Sequence, residues 1–137
     1  MKKMLTGLFV AIMMVSGLVA FSSTSATAAC PYTGCVKTFT RIDAPKKVKR
    51  FDSARIGVKV TTNGNGKPVG RVTLVVKRSK GGFKFVDTKK YDGGKVFFRT
   101  PDLNRLGKYD VTAKFVGKAG SAYKDSDDRD KFRVVRR

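Results

Sequence analysis

The sequence predicts an all-β fold, an antiparallel β-sandwich of about seven strands. Apolar residues recur at every second position, as at Ile56, Val58 and Val60, and no run after residue 28 has the 3.6-residue period of a helix. Glycine-rich turns such as NGNG (63–66) and DGG (92–94) separate these runs. Short strands with one buried and one solvated face, at this spacing, are typical of a two-sheet sandwich.

Residues 1–28 are predicted to be a secretory signal peptide. Lys2 and Lys3 are followed by an apolar run over residues 5–21 and by the A-x-A cleavage pattern at 26–28. An uncleaved anchor is one alternative, because the run approaches the length of a membrane span. A lipidated leader is another, because Cys30 follows two alanines, but Thr27 stands where such a leader needs a large aliphatic residue. We therefore expect cleavage after residue 28 or 29 and a protein that is secreted, extracellular or associated with the cell surface.

Residues 29–43 are expected to form an N-terminal segment with a Cys30–Cys35 disulfide and the first strand. The two cysteines enclose the turn formers PYTG, and an even pair in an oxidising compartment indicates a disulfide. The alternatives are a metal pair and a redox dithiol. A metal site would need two further ligands, and the chain has no His and no third Cys. The spacing also differs from the C-x-x-C of redox dithiols. Because the loop is short, the bond would mainly hold the N-terminus in place.

The strands are predicted from the alternation in chain order. The first follows the cysteine turn, and the second and third lie on either side of the NGNG turn. Glycine pairs at 81–82 and 93–94 precede the fourth and fifth strands, Gly107 precedes the sixth, and the seventh is the apolar stretch near Arg137. The predicted strands cover residues 36–42, 54–62, 70–78, 83–91, 95–100, 108–116 and 131–135, and the sandwich domain covers residues 44–137.

Tyr109 indicates which kind of sandwich this is. It follows a glycine turn and precedes Val111 by two residues, where an Ig-like sandwich has a tyrosine corner, a Tyr hydroxyl bonded back to the preceding backbone. The alternative is an ordinary strand aromatic.

Four motifs then resemble those of bacterial Ig-like domains in extracellular proteins. They are GKPVGRVTL (66–74), GKVFF (94–98), LGKYDVTAKF (106–115) and YKDS (123–126), and the resemblance spans about residues 41–135. It implies an extracellular module used for spacing or adhesion, without catalytic residues. The chain differs in having one copy and many Lys and Arg, which argues against a simple spacer.

The composition argues against an enzyme and for a binding role. The chain has 30 Lys and Arg, 10 acidic residues that are all Asp, and no His, which excludes Ser-His-Asp and Cys-His sites. No cofactor is expected. Removal of the leader takes away two lysines and leaves a formal charge of +18. Outside the cell, such a charge predicts salt-sensitive affinity for anionic polymers such as cell-wall or matrix glycans.

The candidate binding residues lie at outward strand positions and in one basic run. If Val96 and Phe98 point inward, Phe97 lies among outward cations of the same sheet, possible neighbours being Phe39 and Arg41. The predicted patch consists of Arg55, Lys59, Lys95, Phe97 and Arg99, and the run consists of Lys46, Lys47, Lys49 and Arg50. Outward cations at Arg71, Lys77, Lys114, Lys131 and Arg133 are assigned to the other sheet, so diffuse attraction is favoured over a single groove.

Two other functions remain as alternatives at this point. One is a purely structural Ig-like domain in which Lys and Arg only maintain solubility and block edge pairing. The other is a cationic protein that binds nucleic acid or the cell wall, although charge on both sides argues against sequence-specific nucleic-acid binding. No membrane contact is expected after cleavage, and the domain is expected to be a monomer.

Four clustered acids form a second candidate site. Asp125, Asp127, Asp128 and Asp130 are assigned to the loop before the last strand, where Ca²⁺ would find carboxylate oxygens. Neighbouring cations such as Arg129 are the simpler neutralisers, and the spacing lacks the Gly and Glu of an EF-hand loop. No metal is therefore assigned, and a rise in melting temperature with Ca²⁺ is the test.

Overall fold

The computed structural model describes residues 34–137, so the predicted signal peptide and Cys30 lie outside the described residues. The described chain contains no helix with the length and apolarity needed to span a membrane. Its eight strands are β1 (Thr38–Asp43), β2 (Lys47–Lys49), β3 (Arg55–Thr62), β4 (Gly70–Arg78), β5 (Lys84–Tyr91), β6 (Lys95–Arg99), β7 (Gly107–Gly117) and β8 (Ser126–Val135).

The strands form two sheets. β1, β3 and β6 lie in this order in a three-stranded sheet, and β2, β8, β7, β4 and β5 lie in this order in a five-stranded sheet. Neighbouring strands are antiparallel, except that β2 runs parallel to β8. The DGG turn at 92–94 carries the chain from β5 in one sheet to β6 in the other.

Both sheets contribute to one hydrophobic core. In β4, Val72, Leu74 and Val76 are fully buried at every second position. Ile56 and Phe98 of the three-stranded sheet belong to the same buried cluster. Burial of a large apolar side chain stabilises the fold by about 1.5–3 kcal/mol. The period of two seen in the sequence is therefore the period with which the strands bury their side chains.

Hydrogen bonds close the side of the molecule where β1 meets β8. The Thr38 hydroxyl donates to Ser126 Oγ at 2.8 Å, and the Thr40 hydroxyl lies 2.7 Å from the same oxygen. The backbone N–H of Ile42 donates to Asp128 Oδ2 at 2.8 Å. Since β1 is an edge strand, this last bond occupies an N–H group that would otherwise be open to pairing with another chain.

Tyr91, the last residue of β5, joins the two sheets through the core. Its side chain is fully buried. Its hydroxyl accepts a hydrogen bond from the Val60 N–H at 2.8 Å and donates one to the Val60 carbonyl at 3.0 Å. β6 pairs with β3 only as far as Lys59. The Tyr91 hydroxyl therefore makes the hydrogen bonds to Val60 that the next residue of a neighbouring strand would otherwise make. Burial raises the pKa of this hydroxyl.

The Tyr109 hydroxyl turns back to the segment that precedes β7. It donates to the carbonyl of Arg105, four residues earlier in the chain, at 2.8 Å. The Tyr109 ring stacks on Phe132 of β8 with 5.2 Å between the centroids. Burial raises the pKa of Tyr109.

The strand prediction was wrong in two places. Residues 34–137 form eight strands, one more than predicted, because β2 lies within the basic run at 46–50, where three residues are too few to show an alternation and only Val48 is buried. β8 begins at Ser126, not at residue 131. Its first half was missed because Ser126 and Asp128 occupy the positions that face β1, and they bond to that strand instead of packing as apolar residues.

Candidate polyanion-binding faces

The outward side of the three-stranded sheet carries the predicted patch, and we call it the three-strand face. Strand register places Arg55 beside Arg99, Gly57 beside Phe97 and Lys59 beside Lys95. The face consists of Phe39, Arg41, Asp43, Arg55, Gly57, Lys59, Thr61, Lys95, Phe97 and Arg99. The structure thus brings all five patch residues together on one side of one sheet, with Phe39 and Arg41 on the adjoining β1.

Phe97 lies on the middle strand position of β6 and is 41% exposed. The Arg55 guanidinium carbon lies 4.1 Å from the centroid of its ring, and Lys95 Nζ lies 5.3 Å from it. Both are cation–π distances. The ring is therefore already in contact with two cations of the chain, and less of it is open for stacking on a base or a sugar than the sequence suggested.

Gly57 allows Lys95 to cross the face. A Cβ at position 57 would clash with the Lys95 side chain and would lie 3.3 Å from Phe97 Cε1. Across this gap, Lys95 Nζ forms an ion pair and hydrogen bond with Asp43 Oδ2 on β1. The bond with Lys95, together with the charge of Lys95, lowers the pKa of Asp43 below its ordinary value. The single carboxylate of the face is thus occupied by one cation.

A small cleft lies where β6 approaches β5. Its volume is about 300 Å³, and its walls are formed by Ser53, Arg55, Lys89, Phe97, Phe98 and Arg99. Arg99 Nε donates to Ser53 Oγ at 2.9 Å, and Lys89 Nζ donates to the Phe97 carbonyl at 2.8 Å. Arg55, Lys89 and Arg99 are all exposed. The ion pairs within residues 34–137 are Lys95–Asp43 and Lys131–Asp110, so the described carboxylates leave these three cations without an acidic partner.

The outward side of the five-stranded sheet is the larger basic surface, and we call it the five-strand face. Its cations are Lys47, Lys49, Arg71, Lys77, Lys84, Lys90, Lys108, Lys114, Arg129, Lys131 and Arg133. Its acids are Asp110 and Asp127. Asp110 accepts a hydrogen bond from Ser79 at 2.7 Å and lies 3.7 Å from Lys131 Nζ. Most of the cations on this face therefore have no carboxylate opposite them.

The basic run at 46–50 belongs to the edge of the five-stranded sheet. Lys47 pairs in register with Arg133, and Lys49 with Val135, while Lys46 precedes β2. Arg50 is held by its own neighbourhood, because its guanidinium carbon lies 4.6 Å from the Phe51 ring centroid and its Nε donates to the Asn104 carbonyl. The run thus belongs to a different sheet from the patch, and the structure does not join the two into one site.

The acidic candidate is not a single loop cluster. Asp127, Asp128 and Asp130 lie within β8, and only Asp125 precedes it. Strand alternation sends Asp127 to the outward side and Asp128 and Asp130 to the side that faces β1. Asp125 accepts a hydrogen bond from the Gly117 N–H at 3.0 Å. Across residues 34–137, no group of three or more His, Cys, Asp or Glu side chains is arranged to hold a metal ion. Cys35 is described but Cys30 is not, so the disulfide stays a prediction.

Sequence reasoning undervalued the five-strand face and missed Lys89. The alternation that placed Arg71 and Lys77 outward also places Lys84 and Lys90 outward through the register of β4 with β5, so the signal was present. Lys89 differs, because its register partner is the buried Val72. Lys89 occupies an inward position of the edge strand β5. No local sequence pattern predicts that its side chain reaches the backbone of β6.

Comparison with known proteins adds no family to this picture. The chain matches no family model and no curated protein. A proposal of function therefore rests on the geometry of the two faces and of the cleft.

Proposed function

We propose that this chain is a secreted, non-enzymatic Ig-like module that binds anionic polymers outside the cell through its two basic faces. The secretion part rests on the leader pattern of residues 1–28. The Ig-like part is supported by the strand grouping. If the strands are lettered A, A′, B, C, C′, E, F and G in chain order, one sheet holds A, B and E, and the other holds C, F and G. The Tyr109–Arg105 hydrogen bond supports it as well.

The observation that carries the binding proposal is the sign of charge on the strand faces. The five-strand face has eleven cations against two carboxylates. The three-strand face has five cations against Asp43, which Lys95 already occupies. Cations that only maintained solubility would be mixed with acids, as on ordinary protein surfaces. Here like charges stand side by side, which destabilises the sheet unless an external anion lies against them.

The physical basis of such binding is release of counterions from the polymer. Duplex DNA, a polyanion of known charge spacing, serves as a generic probe. A face that neutralises about six phosphates loses roughly a thousandfold in affinity between about 50 and about 200 mM salt. We expect log Kd for DNA and for heparin to rise linearly with log salt concentration, and we expect no binding of neutral dextran.

A matched pair of variants tests whether the faces are responsible. The triple variant Arg71→Gln, Lys90→Gln, Arg133→Gln removes cations of the five-strand face that have no carboxylate in register with them. The control variant Lys67→Gln, Lys80→Gln, Lys118→Gln removes the same charge from residues outside the strands. We expect the first variant to lower the salt slope on DNA by up to about 2.7 and the control to change it much less. Equal effects would assign binding to net charge alone, and absence of binding at about 50 mM salt would refute the proposal.

A further inference from the structure

We propose that the cleft between Arg55, Lys89 and Arg99 is a binding site for one tetrahedral oxyanion, the sulfate or phosphate monoester group of an anionic glycan. This inference deepens the proposed function and rests on it. It predicts that one place on the three-strand face recognises a particular anionic group. Diffuse attraction alone would not distinguish one anionic group from another. The site adds Lys89, which lies on the other sheet, to two residues of the predicted patch.

Each cation of the cleft is held in place by a neutral partner. Arg55 lies against the Phe97 ring, Arg99 bonds to the Ser53 hydroxyl, and Lys89 bonds to the Phe97 carbonyl. These contacts restrict the side chains without neutralising them. Because the side chains are already ordered, an anion that binds them loses less conformational entropy than it would on free surface lysines.

The two arginines of the cleft lie opposite each other on neighbouring strands. Arg55 and Arg99 are direct partners in the register of β3 and β6, where like charges repel each other across the strands. Among the cleft residues there is no Asp or Glu to relieve this repulsion. Asp43, the carboxylate of the three-strand face, is in register with Gly57 and is bonded to Lys95. An external anion between the two arginines would remove the repulsion and would not have to displace an acid.

The donor set favours a monoester over a phosphodiester. Each guanidinium can give a fork of N–H groups to two oxygens, and Arg99 uses only Nε on Ser53. Two forks and one ammonium group are best satisfied by an anion with three unsubstituted oxygens. Sulfate and phosphate monoesters have three, whereas a nucleic-acid phosphodiester has two. The cations over Phe97 also reduce the ring surface on which an unpaired base would stack.

The first experiment uses inorganic sulfate and inorganic phosphate as probes. Arginine Nε–Hε resonances are followed by NMR in the full mature protein at constant ionic strength. We expect saturable shifts of Arg55 and Arg99 with one shared dissociation constant, and small linear shifts of Arg71 and Arg133 on the five-strand face. Acetate, which is planar, is the comparison anion and should bind more weakly. Linear shifts at all four arginines would overturn the proposal.

The second experiment separates the glycan from nucleic acid. The double variant Arg55→Lys, Arg99→Lys keeps every charge but loses both forks. Its control, Arg71→Lys, Arg133→Lys, makes the same change on the five-strand face. We expect the first variant to lose on the order of tenfold in affinity for a heparin oligosaccharide and to keep its affinity for duplex DNA. An unchanged affinity for heparin, or equal losses on heparin and DNA, would overturn the monoester assignment. If the wild-type protein bound neither polymer at low salt, the proposed function itself would fail.

Discussion

Replacement of Tyr91 by phenylalanine should destabilise the fold far more than the loss of one surface hydroxyl would. The Tyr91 hydroxyl makes two hydrogen bonds to Val60, one to the N–H at 2.8 Å and one to the carbonyl at 3.0 Å. Phenylalanine keeps the ring and its packing but leaves both backbone groups buried without these partners. Each unsatisfied group costs about 1–3 kcal/mol, so the expected loss is about 3 kcal/mol in the free energy of unfolding. For a domain of about 100 residues, this lowers Tm by roughly 12 °C or more.

The comparison variant is Tyr109→Phe. Tyr109 is also a fully buried residue, but its hydroxyl makes one hydrogen bond, to the Arg105 carbonyl. Its removal should cost about 1 kcal/mol. Urea denaturation of both variants, followed by circular dichroism, gives the two free energies. If Tyr91→Phe cost no more than Tyr109→Phe, the idea that the Tyr91 hydroxyl satisfies the Val60 backbone groups in place of a neighbouring strand would be refuted.

Two further predictions concern contacts at the edge strand β1. Gly57→Ala should push Lys95 away from Asp43, because the new Cβ would occupy the path of the Lys95 side chain, and the Asp43 pKa should rise toward 3.8. A carboxyl NMR titration measures this. In the wild-type protein, the lowered pKa means that the ion pair contributes at pH values above 3.8 and is lost as the pH falls through the lowered value. Asp128→Ala should cost about 1–2 kcal/mol by leaving the Ile42 N–H without its acceptor, as measured by urea denaturation.

Controls for these two predictions come from the same surfaces. Lys59→Ala removes a cation beside Lys95 in the strand register without touching the Asp43 bond, so it should leave the Asp43 titration near its wild-type midpoint. Asp127→Ala removes an outward acid of β8 and should leave stability within about 0.5 kcal/mol of wild type. A pKa of Asp43 unchanged by Gly57→Ala, or equal stability of the two Asp variants, would contradict the reasoning.

The sequence was informative wherever one strand alternates over several residues. β4 begins and ends where the alternation predicts, and the outward cations Arg71 and Lys77 fall in a different sheet from Arg55 and Lys59. This worked because a period of two fixes which side of a strand is buried before its partners are known. The same rule gives the composition of both basic faces.

Contacts that depend on register between distant segments could not be predicted. Lys95 reaches Asp43 only because Gly57 lies between them in the sheet. Lys89 reaches the Phe97 carbonyl only because β5 and β6 lie side by side in different sheets. The sequence alone assigns Asp128 to a loop, and its hydrogen bond to β1 follows only from the packing of β1 beside β8. Each contact is set by the three-dimensional arrangement of strands, which no local pattern of one strand encodes.

The parallel pairing of β2 with β8 has a mechanical consequence. β2 is the second strand of the described chain and β8 is the last, and the two run in the same direction, with Lys47, Val48 and Lys49 in register with the end of β8. Tension applied ahead of β2 and beyond β8 would slide the strands past each other along their length. The hydrogen bonds of such a pair are loaded together, whereas a strand that is peeled from its end loses them one at a time. Because β1 precedes β2 in the chain and pairs with β3, tension from the N-terminal side reaches the β2–β8 pair only after β1 has been released, and this short pair then resists it in shear.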